Sequence, residues 1–327
     1  MNKIDNSNVL ITGGTGSLGQ ALTERLLSGE DGTPSRIIIF SRDELKQAQM
    51  KAMYHDERLD YQLGDIRNEK RVEEVLQGID IIFHAAAMKR VEMCEQHPHE
   101  AVATNIHGTE NIISAIQRYR LPVCTVVGVS SDKGCSPINV YGATKFIQEK
   151  LILHGNIICP NTRFVCVCYG NVMASRGSMI PMFQQQIASG GPVTVRDAMM
   201  TRFLISLDEA VDTLLDALNN AQRGEVYVPQ LPAARVMDVA KVLINGQNIP
   251  ICCTGRNPGE KIHETLITEA EASNVVIRDG YMVVTQHSQD KPVLHSEYVS
   301  SEWVVPVDAL RKAFIERGYI SEKVEVW

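Results

Sequence analysis

The sequence predicts an α/β fold, a doubly wound parallel sheet with a smaller C-terminal lobe, and three observations lead there. A short apolar run from Asn8 to Ile11 is followed by Thr12-Gly-Gly-Thr-Gly-Ser-Leu-Gly19 and then by Leu18, Leu22 and Leu26 at helical spacing. Short β-branched runs alternate with helical patterns as far as about residue 170, the arrangement that builds parallel sheets through crossover helices. Beyond that point the alternation breaks. We therefore expect a Rossmann-type domain over residues 1–170 and a mainly substrate-binding lobe over 171–327, interleaved with elements near 203–228 that return to the first domain.

Composition narrows the function. The chain has 327 residues, 44% hydrophobic and 22% charged, with a net charge of -7. That balance argues against nucleic acid or an anionic membrane as partner, since both require a basic surface. No apolar run approaches the roughly 20 residues of a membrane-spanning helix, and the polar opening lacks a signal-peptide core, so a cytoplasmic protein is expected. The eight cysteines form no Cys-x-x-Cys pair and most fall in apolar runs. They read as buried thiols rather than a disulfide framework or a metal site. Cys135 alone stands in a polar turn with candidate catalytic residues.

Taken in order, Gly13, Gly16 and Gly19 have the spacing of a dinucleotide-binding turn, in which the backbone must approach a pyrophosphate at a helix N-terminus. Thr15, Ser17 and Leu18 lie in the same loop. A second strand, Arg36 to Phe40, ends in Ser41-Arg42-Asp43-Glu44. Serine and arginine there suit a ribose 2′-phosphate, with Lys46 adding charge, so NADP is the expected cofactor; Asp43 is the residue that would serve NAD instead. A third strand, Asp60 to Leu63, leads to Asp65 and Ile66, where adenine packs in this fold. A fourth, Asp80 to His84, runs into Ala85 and the first available cation, Lys89. His84 reads as a packed strand-end residue, and Asn105 opens a helical pattern.

Val123 to Val129 forms a fifth strand, followed by the turn Ser130 to Pro137 and a helix from about Tyr141. Tyr141 and Lys145 lie one turn apart on one helix face, where a lysine can lower the phenol's pKa and make it a base. Ser131 stands ten residues before Tyr141, and Asp132 and Lys133 set an acid beside a base. Further on, Arg163 to Tyr169 reads as a strand and Tyr169 to Pro181 as a glycine- and serine-bearing loop able to bind a second phosphate. Met200 to Ser206 reads as a strand and Leu207 to Leu218 as a helix capped by Ser206 and Glu209. Gly224 to Val228 is expected as a strand, Ala234 to Leu243 as a helix, Gly255 to Glu264 as a polar loop opening a helix, and Val275 to Val284 as a hairpin about Asp279-Gly280. Residues 285–305 have no clear pattern.

Several of these stretches together, Thr12 to Gly19, Ser131-Asp-Lys133 with Tyr141-Gly-Ala-Thr-Lys145, Tyr169-Gly-Asn-Val172, Met200-Thr-Arg-Phe203 and Pro258-Gly-Glu-Lys-Ile-His-Glu264, resemble the UDP-N-acetylglucosamine 4,6-dehydratases of the extended short-chain dehydrogenase/reductase family, the inverting branch most closely. The chain departs from that pattern at Cys168, Leu204 and Arg256. The resemblance implies NADP, a UDP-sugar substrate and a homo-oligomer, dimer or hexamer, without nucleic acid, membrane or metal. It implies catalysis by Ser131, Asp132, Lys133, Tyr141 and Lys145, and substrate contacts from Lys89, Lys133, Asn171, Arg176, Met179, Thr194, Arg256 and Glu260. The implied reaction oxidises C4 with Tyr141 as base, removes the C5 proton with a near-neutral Lys133, expels the 6-hydroxyl with a proton from Asp132, and returns hydride to C6. A UDP-sugar 4-epimerase and a non-catalytic NADP-binding regulator are the alternative readings.

Overall fold

A computed structural model describes residues 3–173, 175, 177–287 and 293–322. Six strands lay down the first half: β1 (Asn8–Thr12), β2 (Arg36–Ser41), β3 (Leu59–Leu63), β4 (Ile81–His84), β5 (Thr125–Val129) and β6 (Arg163–Val167). They pair in the order β3-β2-β1-β4-β5-β6, all parallel. Runs such as Ile37-Ile-Ile-Phe40 are buried along their whole length, as a sheet covered on both faces requires. The order reverses between β1 and β4, and the crevice beyond the carboxyl ends of strands at such a reversal is where this architecture takes ligands.

The sheet continues into the second half of the chain. Strand Val226–Pro229 adds parallel to β6, and the hairpin Val275–Arg278 with Tyr281–Val284 closes the edge antiparallel. Its turn is the expected one: Asp279 and Gly280 have φ of 49° and 85°, the pair of positive values that a tight hairpin demands. The helix Leu207–Asn220 carries the capping box of Ser206 with Glu209 and packs against the first helix, Ser17–Ser28.

A second apolar cluster collects Met173, Ile180, Phe183, Val193, Val195, Leu204, Leu243 and Phe314. Short strands frame it, with Thr201–Ile205 between Asn171–Val172 and Ala233–Arg235, and Val193–Val195 beside Ile251–Cys253. Three sequence expectations change here. The Gly255–Glu264 loop leads into a strand, Thr265–Ile267, instead of a helix, because this buried run of apolar and β-branched residues pairs through Thr265 and Ile267 with Tyr298–Val299. That pairing also gives a place to part of the stretch without a sequence pattern; residues 288–292 lie outside the described residues. The helix expected from Ala234 starts at Val236, after a strand. Cys252 and Cys253, together with Cys124, are exposed, whereas the other five cysteines are buried; a three-residue strand in a two-stranded sheet has too little cover to hide its side chains. Among the described residues no helix is long and apolar enough to cross a membrane.

Candidate active site

The glycine loop is built for close backbone approach. Gly13 has φ +68°, and a Cβ on it would lie 2.9 Å from the Ala86 Cα at the end of β4. A Cβ on Gly19 would lie 2.5 Å from the Gly14 carbonyl oxygen. The helix that follows starts at Ser17 with Gly16 as its N-cap and no side-chain cap bond, and a helix N-terminus favours an anionic ligand. These features fit a dinucleotide pyrophosphate.

Around it, side chains fix the neighbouring loops. His84 shares hydrogen bonds with Thr12 Oγ1 at 2.8 Å and Thr109 Oγ1 at 2.9 Å, and burial pushes its pKa down to about 3, as expected of a packed neutral residue. Asn105 lies in a short π-helical turn, Ala103–His107. It accepts from the Met88 amide at 2.8 Å and donates to the Met88 carbonyl at 3.1 Å, pinning the stretch that follows Ala85. Asn111 donates to the Ile66 carbonyl at 2.9 Å. Asp65 is held below the usual carboxylate range, because hydrogen bonds from Arg67 and the charge of Arg42 overcome its burial.

At the end of β2, Arg42 is largely exposed, 3.8 Å from Asp65. Asp43 caps the following helix through the Lys46 amide at 3.0 Å and pairs with Lys46 Nζ at 2.6 Å. Lys46, expected to add charge to the ribose pocket, is thus paired with the adjacent acid.

The turn after β5, with the candidate catalytic residues, carries a tight cluster. Asp132 is fully buried, and its Oδ1 accepts from Ser131 Oγ at 2.8 Å and from Lys133 Nζ at 3.1 Å. The helix Val140–Ile158, capped by Asn139, presents Tyr141 and Lys145 as expected. Two electrostatic expectations do not hold. Burial pushes the Tyr141 phenol up to about 12, and what counteracts burial is the Lys133 charge and a hydrogen bond with Ser131, not Lys145. Lys145 donates instead to the Val129 carbonyl and to Gln148, and burial brings it down to about 8. Lys133 is not near neutrality: burial opposes its charge, but the carboxylates of Asp132 and Glu264 outweigh burial and raise it above the ordinary lysine value. A hydrogen bond with Cys168 favours the Cys135 thiolate, but burial and the charges of Glu149, Glu271 and Asp132 outweigh it and hold the thiol above its ordinary range, which makes it a poor nucleophile.

The residues with implied substrate contacts are placed less uniformly. Lys89 is exposed, and Met179 opens the helix Met179–Ala188. Asn171 keeps its Oδ1 buried without a hydrogen bond. Thr194 is engaged by Gln186 at 2.7 Å, Arg256 by Asp197 at 3.3 Å, and Glu260 by the Asn257 amide at 2.8 Å. Arg176 lies outside the described residues. Sequence reasoning passed over Glu264 and Arg202 as site residues, although Glu264 is 2% exposed and 3.5 Å from Lys133. The available signal was an acid at the end of a polar loop running straight into an apolar strand.

With this geometry in view, comparison with known proteins is direct. Residues 9–286 match the family described as Polysaccharide biosynthesis protein. The chain is 38% identical over 281 residues to the UDP-N-acetylglucosamine 4,6-dehydratase (inverting) of Campylobacter jejuni subsp. jejuni serotype O:23/36 (strain 81-176), covering 85% of this chain and 82% of that one. It is also 36% identical over 335 residues to the UDP-glucose 4-epimerase of Rickettsia akari (strain Hartford), covering 97% and 98%. Among solved structures, Pen from Bacillus thuringiensis superposes with a TM-score of 0.90 at 35% identity, over 97% of this chain and 99% of that one. The chain belongs to the polysaccharide biosynthesis protein family, within the extended short-chain dehydrogenase/reductases.

Proposed function

We propose that this chain is a 4,6-dehydratase acting on UDP-N-acetylglucosamine with C5 inversion. The observation that carries the reading is the acid-base pair of Asp132 and Lys133, bonded to each other and to Ser131 within reach of Tyr141. Oxidation and reduction at C4 alone need the tyrosine and serine; a second buried acid-base pair is needed when a proton and a hydroxide must also leave neighbouring carbons.

In the resting structure Lys133 carries the proton of the pair. Its transfer along the 3.1 Å bond to Asp132 yields a neutral amine and a carboxylic acid with no change in net charge. A bound nicotinamide dinucleotide supplies hydride transfer at C4 and C6. Tyr141 takes the 4-hydroxyl proton, with Ser131 hydrogen-bonding the same oxygen. Lys133 then removes the proton on C5, acidified by the adjacent ketone, and Asp132 protonates the departing 6-hydroxyl. The ion pair is thereby restored as water leaves; when hydride returns to C6, C5 must take back one proton, from the opposite face for inversion, and the proton that Tyr141 took from the 4-hydroxyl keeps the count even.

The test is the mass of the product: incubation with UDP-N-acetylglucosamine should give a species lighter by one water without consumption of added reductant. The likeness to a named UDP-glucose 4-epimerase over nearly the whole chain supports a second reading, UDP-sugar 4-epimerisation, and a product of unchanged mass would decide for it.

For the cofactor we infer NADP. Asp43 is committed to its helix and to Lys46, which leaves Ser41 and the exposed Arg42 to meet a 2′-phosphate. A charge-assisted contact of this kind is worth about 1.5–3 kcal/mol, so Arg42→Ala should weaken NADP binding about 10- to 100-fold and leave NAD binding nearly unchanged, as read by titration calorimetry. Tighter binding of NAD to the unaltered chain would reverse the assignment.

A further inference from the structure

The elimination proposed above uses Ser131, Asp132, Lys133 and Tyr141 and gives no task to Glu264, although this acid is buried like Asp132 and Tyr141. Its Oε1 lies 3.5 Å from Lys133 Nζ and 3.7 Å from Arg202 Nε, and its Oε2 lies 3.8 Å from Lys261 Nζ. Oε2 is buried and makes no hydrogen bond. The carboxyl group therefore faces three cationic side chains at 3.5 to 3.8 Å.

The surroundings are rigid. The Arg202 guanidinium donates to the carbonyls of Thr201, Ile262 and Lys261 at 2.7, 2.9 and 3.0 Å. The Glu264 amide donates to Ser300 Oγ at 2.9 Å. Lys261 donates to the Cys135 carbonyl, Asn139 Nδ2 donates to the Gly259 carbonyl at 2.7 Å, and Cys135 Sγ donates to the Leu266 carbonyl at 3.3 Å. Segment 259–266 is thus stitched along the catalytic turn from Lys133 to Asn139, with Glu264 opposite Lys133.

We propose that Glu264 is a positioning residue for the elimination, holding the Lys133 amine against Asp132 and stabilising the positive charge that Lys133 gains when it accepts the C5 proton. The role rests on the dehydratase reading. The charged and titratable groups facing Lys133 are Asp132 beside it, Tyr141 on the following helix, Arg202 on strand Thr201–Ile205 and Glu264 on the stitched segment. Asp132, Glu264 and Tyr141 favour its charge and Arg202 opposes it. With Glu264 neutralised, Lys133, Arg202 and Lys261 would face Asp132 alone, and Lys133 should release its proton at lower pH.

The experiment measures Lys133 itself, so that it stands apart from the identity of the reaction. Competitive acylation of the full chain with acetic anhydride across pH, mapped by mass spectrometry, gives the titration midpoint of this amine. Glu264→Gln is expected to lower the midpoint by about one to two pH units. Glu264→Asp, which keeps the charge but draws it back by one methylene, should lower it by less and covers the case in which the glutamine variant does not fold. In turnover of UDP-N-acetylglucosamine the basic limb of kcat/KM, where the pair loses the proton that Asp132 must donate, should move the same way, which a purely structural residue would not cause. An unmoved midpoint in the folded variants overturns the role of Glu264. A moved midpoint in a chain that releases no water from the sugar leaves the charge coupling standing, overturns the role in elimination and locates the failure in the dehydratase reading.

Discussion

Replacement of Lys133 by methionine is expected to lower loss of water from UDP-N-acetylglucosamine about 10³-fold or more while dinucleotide binding persists. Methionine keeps most of the stem that fills the site but removes the base, and a positioned general base contributes about 10²–10⁴-fold on its own. The larger end applies here because the same change also strips Asp132 of the proton it must donate: the only proton shared by the pair sits on the 3.1 Å bond between them. A stability cost accompanies it. Removing one member of a buried ion pair costs about 3–5 kcal/mol, and since the Lys133 side chain keeps 21% of its exposure the lower end is expected. A thermal melt and a dinucleotide titration therefore belong beside the rate measurement. Among the described residues the glycine loop and β1, which would hold the dinucleotide, make no hydrogen bond to Lys133, so binding should survive. An epimerase would behave differently, since Tyr141 and Ser131 suffice for oxidation and return at C4. If the methionine variant sheds water as fast as the parent chain, Lys133 is not the base.

The contrast between Lys133 and Glu264 shows where the sequence speaks and where it does not. Local signals were legible: the glycine spacing at 13, 16 and 19, the capping box at Ser206, the Asp279-Gly280 hairpin and the one-turn spacing of Tyr141 and Lys145 all involve residues a few positions apart. The charge state of Lys133 was not legible, because it depends on Glu264 and Arg202, which the fold alone brings to it. The same cause explains the Tyr141 reading. Helical spacing places Lys145 nearby, but the Val129 carbonyl, which takes the Lys145 ammonium, belongs to a different element. Thr265–Ile267 became a strand for a further non-local reason, its partner Tyr298–Val299 lying within the stretch without a pattern.

Gly142→Ala should cost more in rate than in stability, and the two effects can be weighed. Gly142 stands in the first turn of the helix Val140–Ile158, and its amide donates to Asn139 Oδ1 at 2.7 Å. Alanine is the better helix former by about 1 kcal/mol. A Cβ at this position, however, would run into the Lys133 carbonyl oxygen and approach Pro137 Cβ to 3.1 Å. Overpacking of this sort costs about 1–3 kcal/mol, so the net loss of stability should be no more than about 2 kcal/mol. The carbonyl that must give way belongs to Lys133, whose neighbours Ser131 and Asp132 are tied to it by 3.3 and 3.1 Å hydrogen bonds, so the clash is relieved by moving the acid-base pair relative to Tyr141. A displacement of about 1 Å can lower a rate about 10²-fold, and a fall of that order in turnover, with a melting temperature only a few degrees lower, is the expected result. An alanine variant with unchanged turnover would show that the catalytic turn does not depend on the space left by this glycine.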